Sequence, residues 1–186
     1  MLFRSLTWEY EGWLYLVFVN DNGSVVRRCF AQTDDARMYA SQPGKWWNQK
    51  GKAGIFNQRV VEIAQSKAQP VFVTESAIDA LSIAETGLYA VGLNSVNNLG
   101  MFLKECDYPY LIGLFDNDDA GRTKSAIFEQ HGYYTVKYDN QTAPFLSHFK
   151  DVNEALVADK IRTTTDLMML QHYASVYYCL AQEVSL

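Results

Sequence analysis

Cysteine is scarce and unpatterned in this 186-residue chain: Cys29, Cys106 and Cys179 are its three cysteines, and they form no CxxC. An odd count argues against a disulfide framework, and the wide spacing against a zinc ribbon. Each is expected to be a small core residue. His131, His148 and His172 likewise lack metal-ligand spacing. Long apolar runs are missing too: Trp13–Val19 and Tyr108–Phe115 fall far short of the ~20 residues of a membrane span. The opening MLFRSLTWEYEG carries Glu9 and Glu11 and no signal-peptide core. With 48% apolar and 20% charged residues, intrinsic disorder is excluded. The length suits one ordinary domain, or one with a small companion. The expectation is a soluble, cytoplasmic protein with no membrane partner.

The net charge of −5 argues at first against a nucleic-acid partner, but its distribution is uneven. Residues 1–69 hold nine Lys/Arg against six Asp/Glu, and residues 70–186 hold seven against fifteen. A basic forepart before an acidic remainder suits a metal-dependent site that also holds a polyanion. Merely uneven surface charge would look the same.

The first seventy residues read as β-rich. Trp13–Val19 is β-prone, Asn20-Asp21-Asn22-Gly23 signals a turn, and Ser24–Phe30 returns as a second strand. Gln32–Lys52 is polar and basic around Trp46-Trp47, and Ile55–Lys67 is a candidate helix packing through Val60, Ile63 and Ala64. From Pro70 short apolar runs alternate with helical stretches. The strands expected are Val71–Thr74, Tyr89–Leu93, Tyr110–Phe115 and Tyr133–Tyr138. The helices expected are Ala77–Thr86, Val96–Glu105 and Ala120–Gln130. That alternation predicts right-handed βαβ units and a parallel sheet. A last helix over Asp166–Ala181 is expected to pack through Leu167, Leu170, Ala174 and Tyr177. The domains expected are therefore 1–69, 70–160 and a C-terminal helical segment, 161–186.

In open α/β sheets ligands gather beyond the carboxyl ends of the strands. Glu75 directly follows the first strand of that pattern, and Asp116 and Asp118 follow the third. If those strands are neighbours, the three carboxylates share one crevice. Two like charges about 4 Å apart repel by roughly 1 kcal/mol in water and about 4 kcal/mol at an effective dielectric of 20. A divalent ion removes that penalty, and hard oxygen ligands suit Mg²⁺ or Mn²⁺.

Structural readings stand beside these. Residues 116–121, DNDDAG, open like an EF-hand loop. Calcium is nevertheless rejected, because Ala120 stands fifth and Ile127 twelfth, where a bidentate Glu is required. Asp119 has the place of a helix cap, with Asp118 in a solvated turn. Ser76 with Asp79, and Asp151 with Glu154, have capping-box spacing.

Three segments in order carry a resemblance: Thr74-Glu75-Ser76-Ala77-Ile78-Asp79-Ala80-Leu81-Ser82, Leu114-Phe115-Asp116-Asn117-Asp118-Asp119-Ala120-Gly121 and Lys150-Asp151-Val152-Asn153-Glu154. Together they resemble the Toprim domain of bacterial, plasmid and phage DNA primases, over about 70–155. Ser76 stands where that family usually has Gly. Arg37-Met38-Tyr39-Ala40-Ser41 and Lys50–Asn57 resemble segments of the basic subdomain that precedes Toprim in those primases.

The resemblance implies a parallel sheet flanked by helices behind a small β-rich mixed subdomain. It implies metal-dependent synthesis of short RNA primers on single-stranded DNA from nucleoside triphosphates. Glu75, Asp116 and Asp118 would be the catalytic acids and would hold Mg²⁺ or Mn²⁺, with Asp79 and Asp151 as further acidic members. Arg27, Arg28, Arg37, Lys45, Lys50, Lys52 and Lys150 are the expected nucleic-acid or nucleotide contacts. The family's zinc module and helicase partner are not in this sequence. The chain is therefore expected to be part of a larger or mobile-element protein, or to rely on partners for those functions. A Toprim nuclease and a non-catalytic nucleic-acid-binding Toprim module are the alternatives.

Overall fold

Seven consecutive β-prone residues form the centre of an antiparallel sheet in the structure, a computed structural model that describes residues 6–10, 13–32, 46–48, 54–95 and 97–183. Its strands are β1 (Leu6–Tyr10), β2 (Trp13–Val19), β3 (Val25–Gln32) and β4 (Trp46–Asn48), paired in that order. The turn between β2 and β3 closes where Gly23 N–H donates to Asn20 O at 2.9 Å. Tyr15, Val17, Phe18 and Val26 are buried. β4 lies inside the polar stretch 32–52, where no strand was expected: its hydrogen-bonding edge is supplied by β3, not by an alternation of its own.

The second sheet is parallel, in the order β6-β5-β7-β8. It contains β5 (Val71–Thr74), β6 (Tyr89–Gly92), β7 (Leu111–Gly113) and the two-residue β8 (Tyr134–Thr135). Strand periodicity sends alternate side chains to opposite faces. Val71 and Val73 pack with Val60, Leu99, Phe102 and Phe128, from α1 (Val60–Gln65), α3 (Asn98–Glu105) and α4 (Asp119–Gln130). Phe72 and Ile112 pack on the other side, with residues of α2 (Ala77–Ala84), α5 (Val152–Ala158) and α6 (Lys160–Glu183). Helices thus cover both faces, as a parallel sheet demands.

The two sheets are stitched at β6. Phe56 and Gly92 exchange backbone hydrogen bonds of 2.8 and 3.0 Å, and Asn94 Nδ2 donates to Asn20 Oδ1 at 2.9 Å. The Phe18 and Phe56 rings meet edge to face at 5.9 Å.

Some packing expectations are corrected. In α1 the buried residues are Val60, Val61 and Ala64, and Ile63 faces solvent. On α6, which begins at Lys160 and not at Asp166, Tyr178 enters the core and Tyr177 is exposed. The Tyr178 hydroxyl donates to the Leu111 carbonyl and accepts from Tyr134 N–H, so a polar tether selects between two adjacent tyrosines. Cys179 is exposed, one position off that buried face, while Cys29 and Cys106 are half-buried.

Candidate metal and phosphate site

Because β5 and β7 are hydrogen-bonded neighbours, the segments leaving them run side by side. Glu75 leaves β5, and its Oε1 accepts the backbone N–H of Asp116, which follows β7, at 3.1 Å. The other oxygen, Oε2, meets the ammonium of Lys124 on α4. Lys150 Nζ lies 3.3 Å from Asp116 Oδ2 and 3.5 Å from Asp118 Oδ2, so one ammonium spans both acids. The third segment is held in place by backbone as well: Asn117 N–H donates to Lys150 O at 2.7 Å.

Two glycines make this approach possible. A Cβ on Gly121 would stand 1.8 Å from Asp116 O, and one on Gly92 would stand 2.6 Å from Ser76 O. Both contacts are with backbone, so no side chain can swing aside. Asp118 is the N-cap of α4, its Oδ1 accepting Gly121 N–H at 3.0 Å. Asp119, for which the capping role was expected, sits in the first turn and pairs with Arg122 at 2.6 Å.

Asp79 lies behind Glu75 on α2 and is almost fully buried. The Ser76 hydroxyl donates to its Oδ2, and Oδ1 has no hydrogen-bond partner among the described residues. Asp151 caps α5, accepting Glu154 N–H at 2.8 Å, while Glu154 turns back to Lys150 N–H at 3.2 Å. Ser76 likewise caps α2, its Oγ accepting Asp79 N–H at 3.3 Å, but neither Asp79 nor Glu154 returns to the amide of its own cap residue as a full capping box would.

The electrostatics separate these acids. Burial raises Asp79 to about 7, opposed by the Ser76 hydrogen bond and reinforced by Asp151 and Asp116. Asp116 rises to about 6, through burial first and Glu75 second, with Lys150 opposing. Asp118 is lowered, chiefly by the Gly121 amide. Tyr138, half-buried beside the cluster, is pushed well above its ordinary value by desolvation of its hydroxyl and then by Asp79, Asp116, Asp151 and Glu75. The site thus carries an excess of negative potential. Beside it a cleft of about 400 Å³ runs between α4 and residues 135–138, lined by Asp116, Arg122, Glu129 and Tyr138 among others.

Of the expected basic contacts, Arg27 and Arg28 lie on β3, and Lys150 stands over the acids. Arg37, Lys45, Lys50 and Lys52 fall outside the described residues. So do the segment 37–41 and residues 50–53 of the second resembling segment. Lys124 was not anticipated. Its signal is present in the sequence: with Gly121 and Phe128 it occupies the core-facing stripe of α4, where a lysine needs a buried counter-charge.

Among the described residues no three acidic, histidine or cysteine side chains form a ready-made metal cage. The donor set nonetheless fits a hard divalent ion. It offers carboxylate oxygens, raises Asp116 through burial and then through the neighbouring Glu75, and leaves one buried Asp79 oxygen unpartnered.

Residues 72–156 match the Toprim-like family model. The chain carries a Toprim-like domain, and its fold is that of DNA primase domains. The primase fragment of the bacteriophage T7 primase-helicase protein superposes with a TM-score of 0.61 and 19% identity, over 88% of this chain and 64% of that one. A chain of Aquifex aeolicus primase, comprising zinc-binding and RNA polymerase domains, gives 0.57 and 14%, over 87% and 40%. The RNA polymerase domain of Mycobacterium tuberculosis primase, in complex with a DNA oligomer, gives 0.51 and 16%, over 84% and 52%. At these identities the likeness is one of fold, and the chain spans only part of each of these proteins. No curated protein matches by sequence.

Proposed function

We propose that the chain is a primase-like nucleotidyltransferase that joins ribonucleotides on a single-stranded DNA template with Mg²⁺ or Mn²⁺. The observation that carries this reading is the adjacency of β5 and β7, which sets Glu75 against the Asp116 amide, with Lys150 spanning Asp116 and Asp118. Glu75, Asp116 and Asp118 would hold the ion, with Asp79 and Asp151 shaping the field behind them. A bound ion there supplies Lewis-acid stabilisation of charge on phosphate oxygens during an in-line displacement.

The chain's own groups do the rest. The Asp116 amide orients Glu75, and the exposed Lys150 ammonium is placed to pair with a phosphate. With burial raising it to about 7, Asp79 is protonated in a large fraction of molecules near neutral pH, which reduces repulsion within the cluster. Arg27, Arg28 and the basic residues of 37–52 form the template or nucleotide track, by charge neutralisation. A helicase or zinc-binding module would be supplied elsewhere, in a larger or mobile-element protein.

Incubation of the chain with single-stranded DNA, labelled nucleoside triphosphates and Mg²⁺ or Mn²⁺ tests the reading. Labelled oligomers are expected. A shortened template would instead identify a nuclease, and an unchanged mixture a non-catalytic binding module.

A further inference from the structure

Two lysines serve the acidic cluster, and they differ in their access to water. The Lys150 side chain is 54% exposed, reaching Asp116 and Asp118 from solvent. The Lys124 side chain is 6% exposed and closes on a Glu75 that is itself 18% exposed. Lys150 can leave its acids for solvent. Lys124 cannot: burial of an ammonium is tolerated only opposite a charge, so the pair stays together or the fold loses both.

From this difference we infer that Lys124 is a built-in cation of the site, which positions Glu75 and limits the cluster to a single divalent ion. The inference rests on the reading above, in which Glu75, Asp116 and Asp118 hold that ion. Both Glu75 oxygens already accept a donor, Oε1 from the Asp116 amide and Oε2 from Lys124. Paired ions in two-metal sites sit about 3.5–4 Å apart and share carboxylate ligands. Glu75 keeps some lone-pair capacity for one ion, but its charge is already compensated. Asp116 and Asp118 share the single exposed ammonium of Lys150, which offsets one of their two charges, whereas one divalent ion would balance both. It would take over from Lys150 there.

Calorimetric titration of the full chain with MnCl₂, with electron paramagnetic resonance counting the bound Mn²⁺, tests this without any turnover. The wild-type chain is expected to bind one Mn²⁺, and Asp116→Asn to lose it. Lys124→Gln keeps a donor for Glu75 but removes the charge. It is expected to bind a second Mn²⁺, or the first about tenfold more tightly, as loss of a nearby like charge allows. Two ions of similar affinity in the wild-type chain overturn the inference, and that measurement needs no variant. So does a Lys124→Gln protein, folded by circular dichroism, that binds Mn²⁺ with unchanged stoichiometry and affinity. If the wild-type chain binds no Mn²⁺, or binding is indifferent to Asp116→Asn, the metal-site reading itself fails and the Lys124 inference falls with it. A Lys124 failure alone leaves Asp116-dependent binding intact.

Discussion

Asp79 is an acid that the fold withholds from water, and its protonation is linked to stability. Its value rises from 3.8 to about 7, so below about pH 4 folded and unfolded chains are protonated alike. As pH rises toward 7 the unfolded chain ionises first, and stability falls. At about 1.36 kcal/mol per unit the full effect is on the order of 4 kcal/mol. In EDTA, the melting temperature is expected to be several degrees higher at pH 5 than at pH 8, and Asp79→Asn is expected to shrink the difference. An undiminished difference in Asp79→Asn would locate the linkage elsewhere. At the neighbouring acids, Asp116→Asn with Asp118→Asn is expected to abolish labelled-oligomer synthesis and leave the metal-free fold intact. Asparagine caps a helix as well as aspartate, and the exposed Lys150 pairs being removed are worth little. A clear drop in the metal-free melting temperature would show that these acids serve the fold first.

Elements meet at the site through backbone contacts, so small substitutions there act on whole segments. Alanine normally stabilises a helix relative to glycine by up to about 1 kcal/mol. At Gly121 the sign is expected to reverse, because the new Cβ would stand 1.8 Å from Asp116 O and the backbone cannot yield. A loss of about 1–3 kcal/mol, read by chemical denaturation, is expected, together with impaired Mn²⁺ binding as the Asp116 loop is pushed out. Asn94 joins three elements from a left-handed backbone, φ +58°. It accepts Ala77 N–H at the start of α2 at 2.9 Å and donates to Asn20 at 2.9 Å. Asn94→Ala is expected to cost about 2–3 kcal/mol by the same denaturation measurement, from two lost hydrogen bonds and a strained φ. Asn94→Gly should recover about 1 kcal/mol of that, since only the strain is relieved.

At the scale of the molecule, a basic antiparallel forepart is stitched to an acidic parallel unit. If the forepart tracks single-stranded DNA, affinity should fall with salt at a logarithmic slope of about −0.7 per contacted phosphate. Lys50→Ala with Lys52→Ala is expected to weaken binding to every sequence alike and to flatten the slope by at most about two such increments, measured by fluorescence anisotropy. The Asp116→Asn, Asp118→Asn protein should bind at least as well as the parent, because it has lost negative charge. An unchanged Lys50/Lys52 variant would make that surface merely solvated.

Much of this arrangement is legible in the chain read alone, because its signals are local. Four-residue apolar runs such as Val71–Thr74, ten-residue helical periods and cap residues such as Ser76 and Asp151 are set by backbone sterics and neighbouring side chains. They foretold the parallel sheet, its helices and the position of Glu75, Asp116 and Asp118 at strand ends. The three ordered segments further foretold the Toprim-like domain. Decisions between distant segments were not legible. That β5 and β7 are neighbours, which brings Glu75 to the Asp116 amide, depends on strand order. That Asp118 rather than Asp119 caps α4 depends on where the loop from β7 enters the helix. That Tyr178 rather than Tyr177 is buried depends on the Leu111 carbonyl it reaches across the core. The Lys124–Glu75 pair joins residues 49 positions apart, and only the packing of α4 against the sheet brings them together out of water. Local pattern sets which elements form and where the acids stand. Long-range burial determines which charges share a low-dielectric space, and so how strongly they interact.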